Sequence, residues 1–167
     1  TLAGDPTEGA LLTLAMKAGT DPAAVRASRR RLDLVPFESE HRYMATLHGA
    51  AGDAGHVAYV KGAPERVLQM CAAQLDPQGN RRALDTGYWQ TQIDAQARAG
   101  RRLLALALAE LPASHVQLTS ADVQRGLTLL GLVAIIDPPR DEAVRAVAQC
   151  RAAGIGVKMI TGDHAIT

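Results

Sequence analysis

Aromatic side chains are scarce: one Trp, one Phe and three Tyr among 167 residues. Any stacking on a planar ligand therefore rests on very few positions, and Phe37 is the only Phe. Cysteine is equally sparse. Cys71 and Cys150 lie far apart and form no CxxC pair, which excludes a disulfide framework and a zinc knuckle and leaves two reduced core thiols as the expectation. Neither sign of charge dominates: Lys and Arg total 18, Asp and Glu 17, and the formal net charge is +1. That balance gives no electrostatic reason to invoke nucleic acid. Lysine is itself rare, three against fifteen arginines, so Lys61 stands out. The longest apolar run, Leu127 to Ile136, is about half a membrane-spanning helix and contains Thr128 and Gly131. The five histidines show no helical metal-ligand spacing, and no Ser-His-Asp or GxSxG pattern occurs, so neither a metal site nor a triad is expected.

What is present reads as a soluble α+β chain. Asp5-Pro6-Thr7-Glu8 is a helix start, with a capping Asp, Pro at the first helical position and Glu three residues after the cap. The helix is expected to run to about Ala18 and stop at Gly19. Asp21-Pro22 starts a shorter helix that ends in the basic run Arg29-Arg30-Arg31, read as a solvated face. Leu32 to Phe37, Tyr43 to Gly49 and His56 to Lys61 are expected strands of an antiparallel meander. Helices are expected over Pro64 to Ala73 and Asp85 to Arg98, followed by a buried strand from Leu103 to Leu108. The tail, Leu127 to Ile136, Asp141 to Ala153 and Val157 to Ile160, reads as a β-α-β unit with a boundary near Asp137-Pro138-Pro139-Arg140.

Polar residues at the ends of apolar segments mark four candidate places. Gly4 to Glu8 opens a helix. Phe37 to Met44 is a charged turn in which Phe37, near Arg42, either stacks on a planar ligand or ends a strand facing the core. Lys61-Gly62-Ala63-Pro64-Glu65 puts an ammonium at a strand end before a helix start, where it either meets a phosphate or is simply solvated. Arg101-Arg102 precedes a strand. At the carboxyl end, Thr161-Gly162-Asp163 follows an expected parallel strand, the place where open α/β sheets bind ligands.

Taken in order, Gly4-Asp-Pro-Thr-Glu-Gly-Ala-Leu11, Pro36-Phe37 with Arg42 and Met44, Lys61-Gly-Ala-Pro-Glu65, Asp137-Pro-Pro-Arg140 and Thr161-Gly-Asp-His164 resemble the motifs of the P-type ATPases, in the branch with the calcium and sodium/potassium pumps. The resemblance covers nearly the whole chain. It implies a nucleotide-binding domain over 1–136, an antiparallel sheet flanked by helices, then the hinge and start of a Rossmann-like phosphorylation domain of haloacid-dehalogenase type over 137–167. It implies ATP as ligand, with Thr7 and Glu8 near the adenine amino group, Phe37 stacked on adenine and Lys61-Gly62 lining the pocket. Arg42 would be the cation after the Phe turn, and Arg102 the arginine reaching the phosphates. Asp137 and Arg140 would form the hinge, and Thr161, Gly162 and Asp163 a loop whose Thr meets the transferred phosphoryl group. Mg²⁺ belongs to the full-length pump, as do the actuator and transmembrane domains, the expected partners of a monomeric piece on the cytoplasmic side.

The family's Asp-Lys-Thr-Gly-Thr segment and its Gly-Asp-Gly loop do not occur here. The resemblance therefore implies a segment of a longer enzyme, with early strands upstream of Thr1, that binds ATP without turning it over. Two rivals are a stand-alone nucleotide-binding or sensing module and a phosphatase of the haloacid-dehalogenase type. The second needs a nucleophilic Asp with another Asp two residues on, and no such pair follows an apolar strand.

Overall fold

Asp5 starts the first element as expected, its carboxylate accepting the backbone N–H of Thr7 at 2.7 Å. The computed structural model describes residues 5–49, 55–136 and 139–158. Helix α1 spans Pro6–Lys17, with Pro at its start, and Gly19 takes φ +80 just past its end. Helix α2 is Pro22–Ser28, shorter than expected: Arg29 and Arg30 leave the helix, and Arg31 is the first residue of a strand. Strands β1 (Arg31–Val35), β2 (Tyr43–Gly49) and β3 (His56–Gly62) form the expected meander. Helix α3 (Pro64–Met70) runs directly into β4 (Cys71–Leu75), and β5 (Arg81–Ala83) turns back on it. Neither β4 nor β5 was expected. Helix α4 (Thr86–Arg98), β6 (Arg102–Leu111), the single-turn α5 (Ser120–Val123), β7 (Leu127–Ile135) and α6 (Asp141–Ala152) complete the order.

The strands join into one seven-stranded sheet in the order β1-β2-β3-β6-β7-β4-β5. Only the β4–β7 pairing is parallel. The period of two in strands then decides what each face carries. One face presents Tyr43, Ala45, Leu47, Ala58, Val60, Ala105, Ala107, Leu127 and Leu129, all at most 1% exposed. Val67, Leu68 and Met70 of α3 pack onto it, with Trp89 and Ile93 of α4 at its margin. The Trp89 indole N–H donates to Gln74 Oε1 at 2.9 Å, tying α4 to β4. The opposite face is only half-buried, and this is the face that carries the site.

The expected β-α-β tail is not seen among the described residues. β7 is antiparallel to β6 inside the central sheet, and Val157 and Lys158 are irregular. The rest of that expected strand lies outside the described residues, as do Gly4, Asp137 and the Thr161-Gly162-Asp163 loop. Helix α6 buries no residue. Among the described residues no helix is long and apolar enough to cross a membrane. Both cysteines are free and half-buried, and burial pushes the Cys71 thiol up to about 12, which makes it inert.

Candidate functional site

The register places most of the candidate residues at one end of the sheet. Val35 ends β1, Tyr43 begins β2, Gly62 ends β3, Arg102 begins β6 and Ile135 ends β7, and these ends are neighbours because Tyr43 pairs with Gly62 and Arg102 with Ile135. Phe37, Arg42, Lys61, Gly62 and Arg102 therefore share an edge with Ile135, where β7 ends; Arg140, farther along the chain, is exposed. Residues drawn from 66 positions of sequence, Phe37 to Arg102, are gathered by three antiparallel pairings, β1–β2, β2–β3 and β3–β6.

Phe37 lies outside β1 and is 60% exposed, so it does not face the core. Its turn is closed by the Arg42 amide, which donates to Glu38 O at 2.8 Å, and by a 2.7 Å pair between His41 Nδ1 and Glu38 Oε2. Arg42 sits at φ +57, a left-handed conformation uncommon outside glycine. Its guanidinium donates to Glu65 Oε1 at 2.7 Å, a partner that sequence reasoning missed although both residues stood in the quoted motifs. Gly62 is the point of closest approach: a Cβ there would meet Arg42 O at 2.4 Å and Tyr43 Cα at 2.7 Å.

On the half-buried face lies a cavity of ≈ 330 Å³ lined by Lys61, Glu8, Met44, Leu106 and Leu130 at one part and by Thr46, Tyr59, His48 and Arg31 farther along β2 and β3. Lys61 Nζ is ion-paired with Glu8, joining α1 to the sheet across the cavity. Lys61 is 21% exposed and Glu8 54%, so the ammonium is the more enclosed of the two. Thr7 is committed to the cap, its amide bonded to Asp5. The bonds from Thr7, with help from the Arg102 charge, hold the Asp5 carboxyl below its ordinary value. Arg102 is thus electrostatically linked to the start of α1 but does not line the cavity.

Leu130 reaches the cavity by ordinary alternation, one residue after the core-facing Leu129, and a bulge lies at the same place. Leu106 pairs with Gly131 and Ala107 with Leu129, so Leu130 has no partner on β6 and the alternation shifts by one residue beyond it. Gly131 takes φ +149 to make the bulge. Of the cavity walls, only Glu8 and Lys61 were expected from sequence; the alternation of β2 and β3 could have supplied Met44, Thr46, Tyr59 and Lys61 as one stripe.

A mostly antiparallel sheet flanked by helices, with charged residues collected at one sheet end, defines an α+β domain of the kind that the motif order suggested. A family model described as P-type ATPase, cytoplasmic domain N, matches residues 1–142, and the chain belongs to that family. Cation-transporting ATPase pma1 of Synechocystis is 47% identical over 98% of the chain and 18% of its own length. The calcium-transporting ATPase of Bacillus subtilis is 38% identical over 99% of the chain and 19% of its own length. A sodium/potassium-transporting ATPase alpha subunit of Artemia franciscana is 33% identical over 98% and 17%. The chain spans less than a fifth of each of these relatives.

Proposed function

We propose that the chain is the ATP-holding domain of a cation-transporting P-type ATPase. The observation that carries this is the Lys61–Glu8 pair set in a cavity on the half-buried face, with Phe37 exposed at the same end of the sheet. Phe37 offers a ring face to adenine, and stacking is indifferent to the base's hydrogen-bonding edge. Glu8 supplies an acceptor for the adenine amino group, while Lys61 lines the pocket floor with Gly62 next to it in the chain. Arg42 and Arg102, forked cations at the sheet end, suit phosphate oxygens.

The role of such a domain is positioning: it holds the nucleotide so that hinge movement about Asp137 to Arg140 brings the terminal phosphoryl group to an aspartate elsewhere in the pump. Residues 137–167 would begin the phosphorylation domain, with Thr161, Gly162 and Asp163 in a loop facing that group. Mg²⁺, when bound to the nucleotide, neutralises phosphate charge. No cluster of three His, Cys, Asp or Glu side chains suited to a metal occurs among the described residues. The domain by itself binds ATP and does not turn it over.

The test is an ATP titration followed by amide chemical shifts, with and without Mg²⁺, on the wild type and on Phe37→Ala and Lys61→Ala. Saturable shifts lost in both variants support the reading. A folded wild type that shows no saturable shift, or sustained phosphate release by the pure chain, contradicts it.

A further inference from the structure

The basic run Arg29-Arg30-Arg31 is exposed, as expected, and its backbone is also tied to the sheet. Three bonds hold it against the far part of the cavity: Gly49 N–H donates to Arg30 O at 3.0 Å, His48 Nδ1 lies 3.2 Å from Arg29 O, and Arg29 donates to the Tyr59 hydroxyl oxygen at 3.0 Å. A carbonyl only accepts, so Nδ1 carries the His48 proton, and in the neutral ring Nε2 accepts from Thr46 Oγ1 at 3.0 Å. The Tyr59 oxygen, already accepting from Arg29, keeps its own proton to donate. Arg31 lines the cavity beside His48 and Tyr59.

Among the described residues Arg29, Arg30 and Arg31 form no ion pair, Glu8 is paired with Lys61, and Asp33 spends its two oxygens on the amides of Leu34 and Leu118. The Arg31 guanidinium and the Tyr59 hydroxyl thus line one open end of the cavity, with Arg29 bonded to the tyrosine oxygen, and such donors suit a tetrahedral oxyanion. We propose that this end of the cavity is a subsite for a phosphate-type oxyanion, bound through Arg31 and the Tyr59 hydroxyl, whose oxygen Arg29 holds. The subsite is distinct from the sheet end where Arg102 lies. Tyr59 pairs with Leu108, six residues from Arg102 along β6, which is about 20 Å of strand. Lys61 lies between them. The phosphate chemistry could come from a free inorganic anion or from a nucleotide turned end for end; the inference is for the free anion and does not require the nucleotide reading.

The experiment titrates the isotope-labelled chain with inorganic pyrophosphate at constant ionic strength and follows the amides of Arg31, Thr46, His48 and Tyr59. Saturable shifts are expected there, retained in Lys61→Ala and weakened about tenfold or more in Arg31→Gln. Tyr59→Phe, which keeps the ring, should weaken them severalfold while the spectrum stays dispersed. With pyrophosphate saturating, added ATP should still move the Lys61 and Arg102 amides, or leave the pyrophosphate shifts untouched if ATP does not bind at all. Shifts that vanish in Lys61→Ala but survive Arg31→Gln would place the anion at the other end and overturn the inference. Displacement of pyrophosphate from Arg31 by ATP would also overturn it, by showing a nucleotide's own phosphates there. So would the absence of any saturable shift up to roughly 10 mM.

Discussion

Lys61 and Glu8, fifty-three residues apart in the chain, meet as an ion pair over the cavity on the half-buried face of the sheet. The pair is partly solvated, so its worth to folding is small, about 1 kcal/mol or less. Its worth to a ligand is larger, because an ammonium enclosed in a cavity makes a charge-assisted hydrogen bond of about 1.5–3 kcal/mol. Lys61→Ala is therefore expected to weaken ATP binding roughly 10- to 100-fold while moving the melting temperature little. Calorimetric titration beside a thermal melt separates the two effects. A large loss of stability with unchanged affinity would show the pair to be a fold contact alone.

Phe37 makes the opposite case to a core aromatic. At 60% exposure its removal should change stability by no more than about 0.5 kcal/mol. Base stacking on an aromatic ring is worth about 1–3 kcal/mol by alanine substitution, so Phe37→Ala should cost roughly 5- to 150-fold in ATP affinity. Phe37→Trp should restore most of it. Equal binding by Phe37→Ala and the wild type would remove the ring from the site.

Local signals carried much of the fold. The Asp5-Pro6 start and the Gly19 stop framed α1 within a residue, and alternation in β2 and β3 placed those strands. β4 escaped because Cys71–Leu75 continues α3 without a break and is set by a parallel partner, β7, more than fifty residues away. The bulge at Leu130 was hidden inside a mostly apolar run, with Gly131 the residue that could have betrayed it. The exposed placement of Phe37 could be inferred from family motifs alone, since composition favours a lone Phe in the core. The pairing of Arg42 with Glu65 depends on the close crossing at Gly62, which no spacing rule encodes.

That crossing yields its own prediction. In Gly62→Ala the new methyl carbon would lie 2.4 Å from Arg42 O, a backbone atom that already accepts Ala63 N–H at 2.9 Å. Backbone on a paired strand cannot retreat without losing that bond, and forced overpacking costs about 1–3 kcal/mol. For a chain of this size the melting temperature should fall by several degrees, roughly 2–4 °C per kcal/mol. A melting temperature within about a degree of the wild type would mean that the edge of β2 yields more easily than its pairing suggests.

Asp33 ties the edge strand to a distant loop, accepting Leu118 N–H at 2.7 Å and Leu34 N–H at 2.8 Å. The Leu118 amide, then the Leu34 amide, hold its carboxyl below the ordinary value of 3.8. A folded-state value that is depressed means the unfolded chain takes up the proton first as pH falls. The stabilising contribution is thus complete above the unfolded value and drains away as pH drops from there through the lower folded value. Asp33→Asn has no such titration at this site. The wild type should therefore exceed the variant in melting temperature near neutral pH, with the gap closing as pH falls below about 4. Thermal melts of both proteins across that range decide it: a gap that stays constant, or widens in acid, would mean that the loop around Leu118 is held by its buried apolar contacts and not by the Asp33 carboxylate.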